Sequence, residues 1–281
     1  MLLPEEILKK YWGYNDFRPL QKEIINSVLS KNDTLALLPT GGGKSICFQV
    51  PGMIIDGICI VVSPLIALMK DQVRQLKERN IASEAIYSGM KFSEIEAILD
   101  DAVDAKLKFL YVSPERLKAK NFQARINYMQ VGLLAIDEAH RISKWGYDFR
   151  PAYLQIDEFK KLIPAVSTIA LTATATEKVR NDIIEKLGLK KPNIFVQSFA
   201  RNNLSYSVIE TDQKETKLLQ ILKKVEGTAI VYAKTRNRTV EYSKFLKANG
   251  ISSDYYHAGL SLKERNKKQE DWINNITRVM V

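Results

Sequence analysis

The chain has 281 residues, 46% of them hydrophobic, and a formal charge of +10 at pH 7. Its length allows one large domain or two moderate ones, and its hydrophobic content is ordinary for a globular protein. No apolar run approaches the roughly 20 residues of a membrane-spanning helix, and the N-terminus does not resemble a signal peptide. We therefore expect a cytoplasmic protein with no membrane partner.

The positive charge favours a polyanionic partner, although solvated lysine-rich helix faces would give the same excess of charge. The two cysteines, Cys47 and Cys59, both lie in apolar segments. Because no group of cysteines and histidines has metal-ligand spacing, we expect free thiols and no zinc.

Short apolar runs alternate with amphipathic segments over the first two-thirds of the chain. Helical spacing predicts a helix over 66–78, Ser93 with Glu96 is typical of a capping box, and Gly188 would end a helix that begins after Thr176. Such alternation predicts an α/β fold with a parallel sheet between helices, and with ligands at the carboxyl ends of the strands. The predicted strands are 33–38, 58–63, 109–113, 131–136, 167–172 and 194–197.

A second alternation begins near residue 205. The polar segment 199–204 predicts a connector, so we divide the chain into domains 1–204 and 205–281. The last residues lie inside a predicted strand, and we expect the second domain to be incomplete. The second alternation predicts strands at 205–210, 228–232, 253–257 and 278–281, and helices at 213–225, 235–248 and 261–274.

A glycine-rich segment, Thr40-Gly41-Gly42-Gly43-Lys44-Ser45, follows the first predicted strand and precedes a helix predicted to begin near Lys44. Glycines let backbone N–H groups approach a phosphate closely, and the helix N-terminus adds partial positive charge. Lys44 would reach the β- and γ-phosphates of a nucleotide, and the Ser45 hydroxyl would ligate Mg²⁺. The strict pattern has glycine where Leu38 stands, so an ordinary flexible turn is the alternative for this segment taken alone.

A second motif, Asp137-Glu138-Ala139-His140, follows an apolar strand and argues against that alternative. Asp137 would hold Mg²⁺, and Glu138 would orient and activate the attacking water. Together the two motifs predict hydrolysis of a nucleoside triphosphate, with Lys44, Asp137, Glu138 and His140 as catalytic residues.

With both motifs in place, the chain resembles the RecQ family of superfamily 2 DNA helicases over its whole length. The segment from Tyr14 to Gln21 resembles the family's adenine-recognition segment. In that role Tyr14 and Arg18 would sandwich a purine, and the Gln21 amide would pair with its edge. The alternative is that these are ordinary core and turn residues.

Three segments resemble the family's contacts with single-stranded DNA. Segments 61–73, with Ser63 and Lys70, and 111–117 each join a strand end to a helix through a Ser-Pro turn, which suits phosphate contacts. The segment 142–151 resembles the aromatic-rich loop that couples DNA binding to ATP hydrolysis. Its side chains could stack on unpaired bases, whereas the alternative is a buried anchor for the loop. The residues implied there are Trp145, Phe149 and Arg150, and the loop departs from the family at Lys144 and Tyr147.

Segments 170–176, 229–236 and 255–260 resemble motif III, motif IV and the strand after it. The resemblance implies a RecA-like domain that carries the ATP site, followed by an incomplete second RecA-like domain. It also implies a role for His140 in relaying the state of the nucleotide to the DNA contacts.

The full-length protein would then be an ATP-dependent 3′→5′ helicase that uses ATP and Mg²⁺ on single-stranded and forked DNA, associated with the nucleoid in a bacterium. Motifs V and VI, with an arginine finger, would follow residue 281. This chain is therefore expected to bind ATP and DNA but to hydrolyse slowly and unwind poorly.

Two other functions stay open. An RNA helicase would share the fold, but it normally carries Asp-Glu-Ala-Asp and a Ser-Ala-Thr motif III, where this chain has Asp-Glu-Ala-His and Thr-Ala-Thr. A non-catalytic module that uses ATP only as a conformational switch would have no need of Glu138.

Overall fold

The computed structural model describes residues 3–145, 148–198 and 204–281. The chain divides into two compact units, Met1–Arg201 and Asn202–Val281. Residues 199–203 of the expected connector lie outside the described residues, as do Gly146 and Tyr147 of the aromatic-rich loop.

The described part of the first unit contains eight α-helices and seven β-strands. The helices are α1 (Pro4–Trp12), α2 (Gln21–Leu29), α3 (Ile46–Ile54), α4 (Ile66–Glu78), α5 (Phe92–Val103), α6 (Lys120–Ile126), α7 (Gln155–Lys160) and α8 (Glu177–Lys186). The strands are β1 (Thr34–Leu37), β2 (Ile58–Val62), β3 (Ser83–Ile86), β4 (Phe109–Val112), β5 (Val131–Ile136), β6 (Thr168–Thr172) and β7 (Asn193–Val196).

These seven strands form one parallel sheet in the order β3-β4-β2-β5-β6-β1-β7. Side chains alternate along each strand, so Leu35 and Leu37 enter a core on one face while Ala36 and Leu38 enter a core on the other. Helices cover both faces because both are apolar. The predicted α/β class, with a parallel sheet between helices, is confirmed.

Three details differ from the sequence-based expectations. Strand β3 was not expected; among the described strands it lies at the edge of the sheet and pairs only with β4. Helix α5 begins at Phe92, and Glu94 accepts a hydrogen bond from the Lys91 N–H at 3.1 Å, so the box expected at Ser93 and Glu96 was wrong. Helix α3 begins at Ile46, two residues after the expected start.

The expected start and the expected end of helix α8 are both confirmed. Helix α8 begins after Thr176, whose hydroxyl accepts a hydrogen bond from the Val179 N–H, and it ends before Gly188. Gly188 has a φ of +55°, and its N–H donates to the Glu185 carbonyl, which is the geometry that favours glycine after a helix.

The described part of the second unit has three helices, α9 (Lys214–Lys224), α10 (Arg236–Ala248) and α11 (Leu262–Ile273). Its strands β8 (Ala229–Ile230), β9 (Ser253–Asp254) and β10 (Val279–Met280) form a small parallel sheet in the order β8-β10-β9. The strand expected at 205–210 was wrong, because those described residues are irregular.

None of the described helices is long and apolar enough to cross a membrane. Within the same residues, no group of three or more histidine, cysteine, aspartate or glutamate side chains is placed to hold a metal ion.

Candidate functional site

The carboxyl edge of the large sheet gathers most of the residues singled out from the sequence. The central strands lie in the order β2-β5-β6-β1. The glycine-rich loop follows β1, Ser63 follows β2, Asp137 follows β5, and β6 ends at Thr172. Side chains that are far apart in sequence therefore meet along one edge, where ligands of parallel sheets bind.

The glycine-rich loop turns sharply before α3. The Gly42 N–H donates to the Pro39 carbonyl at 2.9 Å, and Gly41 and Gly43 have φ values of +80° and +76°. A Cβ atom on Gly43 would lie 2.3 Å from Gln21 Nε2, so a side chain at this position would have to displace the Gln21 amide. Thr40 and Gly41 are exposed, while Lys44 and Ser45 are half-buried.

Helix α2 holds this loop from one side through the expected adenine-recognition segment. The buried Gln21 amide donates to the Gly43 carbonyl at 3.0 Å, and its oxygen accepts from the Arg18 N–H at 2.9 Å. The Arg18 guanidinium donates to the Gly41 carbonyl. Pairing of the Gln21 amide with adenine would therefore require the amide to exchange these bonds.

A pocket of about 240 Å³ opens beside the loop and includes an exposed aromatic side chain, Tyr14. Tyr14, Arg18 and Gln21 line this pocket together with Gly43 and Ser45. The structure thus brings the expected purine-binding residues to the loop expected to bind phosphate.

Asp137 is largely buried next to Glu138, and these two facts raise the pKa of its carboxyl to about 6, burial being the larger cause. Its Oδ1 accepts from the Glu138 N–H at 2.9 Å, and its Oδ2 lies 3.5 Å from the Ser63 hydroxyl. The nearby Lys44 ammonium partly offsets the increase. The site therefore favours a further cation beside Asp137.

The pKa of the neighbouring Glu138 is shifted in the opposite direction. Its hydrogen bond with His140, with Oε2 3.2 Å from Nδ1, lowers the pKa of the Glu138 carboxyl, and Lys44 lowers it further. Glu138 has a φ of +49°, a left-handed conformation that is costly for a residue with a side chain. Glu138 is thus held ionised in a strained conformation, in the position expected for the base that orients water.

His140 joins Glu138 to the end of β6. Its Nδ1 lies 2.8 Å from the Thr172 hydroxyl, which in turn lies 3.2 Å from the Thr174 carbonyl. The carboxylate can only accept and the Thr174 carbonyl can only accept, so the consistent assignment places a hydrogen on His140 Nδ1 that is shared by Glu138 and Thr172. A chain of polar contacts therefore links Glu138 through His140 to the segment after β6.

Sequence reasoning missed Tyr153, which supports the same site. Its ring is fully buried, and its hydroxyl donates to the Asp137 carbonyl at 2.9 Å. No local pattern signals this contact, because Tyr153 lies in a short 3₁₀ helix, Pro151–Leu154, that only the tertiary fold brings under the strand end.

The aromatic-rich loop lies beyond His140, and its described part presents one exposed large apolar side chain. Trp145 is 64% exposed, whereas Phe149 is half-buried. Arg150 is held at the sheet edge, since its guanidinium donates to the Pro64 carbonyl at 2.8 Å and its N–H donates to the Arg141 carbonyl at the same distance. Exposed Trp145 can stack on a base, but half-buried Phe149 offers less of its ring.

Of the two other residues expected to contact DNA, Ser63 is buried and Lys70 is exposed. The side chain of Ser63 is buried, with its hydroxyl turned to Asp137, so the expectation that this hydroxyl contacts DNA does not fit its position. Lys70 is exposed on α4, with its ammonium 4.9 Å from the ring centre of Tyr87. Lys70 is thus available to a phosphate group.

Ser45 and Asp137 are the residues expected to hold Mg²⁺. Both offer oxygen ligands, which this cation requires. Asp137 Oδ2 has only the long contact to Ser63, and the raised pKa of this buried carboxyl means that a positive charge would stabilise its ionised form. The residues present therefore fit a divalent cation that is shared with the oxygens of a substrate phosphate.

Known proteins resemble this chain over most of its length. A family profile described as DEAD/DEAH box helicase matches residues 18–183. The ATP-dependent DNA helicase RecQ of Pasteurella multocida is 36% identical over 98% of this chain and 44% of that protein. The protein of the same name from Bacillus subtilis is 39% identical over 99% of this chain and 47% of that protein. This chain therefore spans about half the length of the curated relatives it matches.

A solved structure shares the fold. The DUF1998 helicase MrfA bound to DNA has a TM-score of 0.73 and 16% sequence identity, over 99% of this chain and 43% of that one. At this identity the likeness concerns the fold alone, and it supports the expected RecA-like architecture.

Proposed function

Because the chain belongs to the DEAD/DEAH box helicase family, we propose that it is the motor core of a RecQ-type DNA helicase. Such a core couples ATP hydrolysis to 3′→5′ movement along single-stranded DNA and to the opening of forked duplexes. The two curated relatives named above are DNA helicases, and the charge of +10 suits binding to a polyanion such as DNA.

The polar chain from Glu138 through His140 to Thr172 is the observation that carries the proposal. A protein that only binds nucleotide has no use for a carboxylate held ionised beside the expected phosphate site. The Glu138 carboxyl is ionised because its pKa is lowered, and the backbone of Glu138 has a strained left-handed conformation. The same series of polar contacts extends to the segment after β6. A structural change at the phosphate would therefore be transmitted to that segment.

In the proposed reaction the substrate triphosphate lies on the N–H groups of the glycine-rich loop, with Lys44 against its terminal phosphates. Glu138 accepts a proton from a water molecule, whose oxygen attacks the γ-phosphorus. The bond from that phosphorus to the β–γ bridging oxygen breaks, which gives ADP and phosphate. Mg²⁺, when bound by Ser45 and Asp137, would neutralise charge on the phosphate oxygens.

The trigger for hydrolysis is proposed to be DNA on the aromatic-rich loop. The Ser143 N–H donates to the His140 carbonyl at 3.1 Å, so the loop that carries Trp145 begins directly at the residue that holds Glu138. A base stacked on the exposed Trp145 indole would therefore contact the same short segment that carries the catalytic Glu138.

Steady-state ATP hydrolysis tests the proposal, measured with and without a single-stranded DNA oligonucleotide, for the wild type and for Lys44→Ala. We expect slow hydrolysis that DNA stimulates and that Lys44→Ala abolishes, with weak or absent unwinding by this chain alone. Hydrolysis by Lys44→Ala at the wild-type rate, or no Mg²⁺-dependent ATP binding by the wild type, would contradict the proposed site.

Two further arms separate the other functions. Glu138→Gln should bind ATP but accumulate the ATP-bound, DNA-bound form, whereas a pure nucleotide switch would behave as the wild type does. Stimulation by an RNA oligonucleotide that equals or exceeds stimulation by DNA would favour an RNA helicase.

A further inference from the structure

One face of helix α8 supports the loop that carries Trp145. Lys178, Asp182 and Lys186 follow each other at intervals of four residues, so they share a face of the helix. None of them belongs to a motif described above. All three make contacts with the loop or with each other, which gives α8 a role beyond packing against the sheet.

Ser143 is the point where helix and loop meet. It is fully buried, and its hydroxyl donates to Asp182 Oδ2 at 2.6 Å while accepting from the Trp145 N–H at 3.1 Å. The backbone N–H of Ser143 donates to the His140 carbonyl. Ser143 is thus bonded at the same time to the catalytic segment, to Trp145 and to α8.

Asp182 is itself held in place. The Lys186 ammonium lies 2.8 Å from the same Oδ2 atom, and the bonds from Lys186 and Ser143 lower the pKa of the Asp182 carboxyl. Asp182 is therefore an ionised acceptor, and hydrogen bonds to ionised groups are stronger than neutral ones. One turn earlier, the Lys178 ammonium lies 3.1 Å from the centre of a Trp145 ring.

We propose that Asp182 is a positioning residue for Trp145: through the Ser143 hydroxyl it fixes the backbone at Trp145 and so presents the indole to an unpaired base. Without Asp182, the Ser143 hydroxyl can rotate and the Trp145 N–H loses its fixed partner. The loop then pays the entropy of becoming ordered when DNA binds, which weakens the complex. This inference rests on the proposed function, since it concerns the base-stacking role assigned there to Trp145.

The test measures affinity for a fluorescently labelled single-stranded oligonucleotide by anisotropy, with melting curves to show that each variant is folded. Ordering one further side chain of the loop on binding corresponds to a change of about fivefold in Kd. Asp182→Ala should therefore weaken binding about fivefold, and Asp182→Asn, which keeps an acceptor oxygen, should recover most of the loss. Glu185→Ala is the matched control, because Glu185 is an exposed carboxylate on the same helix.

A double substitution distinguishes positioning from simple loss of negative charge. If Asp182 acts through Ser143, then Asp182→Ala should have little further effect in a Ser143→Ala background. Additive effects of the two substitutions, failure of Asp182→Asn to recover binding, or an equal effect of Glu185→Ala would overturn the inference.

Trp145→Ala separates this outcome from failure of the proposed function. If the wild type binds no single-stranded DNA, the proposed function fails. If the wild type binds single-stranded DNA only as tightly as Trp145→Ala does, the stacking role of Trp145 is wrong and the inference about Asp182 fails with it. If Trp145→Ala weakens binding and Asp182→Ala does not, only the inference about Asp182 fails.

Discussion

Two adjacent carboxyl groups, on Asp137 and Glu138, are driven in opposite directions by their surroundings. Burial raises the pKa of Asp137 to about 6, whereas the bond with His140 lowers the pKa of Glu138. The difference between the two pKa values matches their expected roles. Asp137 is a ligand whose ionised form a bound cation would stabilise, and Glu138 is a base that is ionised at neutral pH. The raised pKa also means that the folded protein carries an electrostatic cost at Asp137 when no cation is bound.

This cost predicts that Asp137→Asn stabilises the protein at neutral pH while it abolishes hydrolysis. The folded state binds a proton at Asp137 more tightly than the unfolded state does, so this group lowers the free energy of unfolding as pH rises from about 4 to about 6. Above that window the cost is complete, on the order of 2–3 kcal/mol. The melting temperature of Asp137→Asn without nucleotide should therefore exceed that of the wild type by several degrees at pH 8.

The gain should disappear below pH about 4, where the wild-type carboxyl is protonated as well. Asp56→Asn serves as the control, because it removes the same charge from an exposed position of the same unit. A melting temperature that falls at pH 8, or a gain that persists unchanged at low pH, would show that Asp137 is not destabilising in the folded state.

The Lys178 ammonium on the indole of Trp145 leads to a second prediction for a single residue. A cation at this exposed site is worth about 0.5–1 kcal/mol, and a stacking base must replace it on the face that it covers. Removing the Lys178 ammonium would uncover this face of the indole, which strengthens binding of a base. It would also remove a positive charge that attracts the DNA backbone, which weakens binding, so the two effects oppose each other. They separate in a cycle of Lys178→Met with and without Trp145→Ala.

In that cycle, Lys178→Met should weaken binding of single-stranded DNA more in the Trp145→Ala background than in the wild-type background, by about two- to fivefold. The reason is that only the protein with Trp145 regains an uncovered indole face. Equal effects of Lys178→Met in both backgrounds would mean that the lysine does not compete with DNA for the ring.

At the scale of elements, the glycine-rich loop and helix α2 form one assembly through Gln21. The Gln21 amide fills the space beside Gly43, where a Cβ atom would lie 2.3 Å from Nε2. We predict that Gly43→Ala weakens Mg²⁺-dependent binding of a fluorescent ATP analogue by at least about tenfold, because strain at positive φ and displacement of Gln21 act together.

Gly89→Ala is the control for backbone strain alone. Gly89 has a φ of +95°, and a Cβ atom there would meet nothing within 4 Å. It should lower the melting temperature but leave the affinity for the ATP analogue unchanged. Equal losses of affinity in both variants would show that the contact with Gln21 is unimportant.

The strands that the sequence predicted well are those with an uninterrupted apolar run. Strands β2 and β5 are continuous apolar runs because helices cover both faces of the sheet, and such runs stand out in any sequence. Edge strand β3 is also largely buried, but Ser83 and Glu84 make up half of its sequence, so its pattern resembles a loop. The segment 205–210 shows the reverse error, since its apolar residues indicate a strand but pair with nothing in the described residues.

For the site, the sequence identified what is local and missed what is tertiary. The glycine-rich loop and the pair Asp137 and Glu138 form contiguous motifs whose chemistry depends on residue type. Tyr153 and Asp182 reach the site only through folding, and neither a tyrosine nor an aspartate on a helix signals such a contact. The orientation of the Gln21 amide toward the loop is likewise a property of packing, which spacing along the chain does not encode.

At the scale of the whole molecule, the two units differ in how well each is enclosed. The first has buried clusters on both faces of a seven-stranded sheet. The second has a small core of buried apolar residues, namely Leu222, Leu246, Ile251, Val279 and Val281. It also exposes large apolar side chains, with Tyr206 at 89% and Tyr232 at 91%.

This contrast predicts that the second unit opens far more readily than the first. Hydrophobic burial scales with the apolar area removed from water, and a sheet of three short strands removes little. In native-state hydrogen exchange, amides of β8 and β10 should therefore exchange at least about tenfold faster than those of β2 and β5 under the same conditions. Because every residue assigned here to ATP lies in the first unit, adding Mg²⁺ and a non-hydrolysable ATP analogue should slow exchange in the glycine-rich loop and leave β8 and β10 unchanged. Equal protection of the two sheets without nucleotide would mean that the second unit is enclosed by contacts that its own core does not account for.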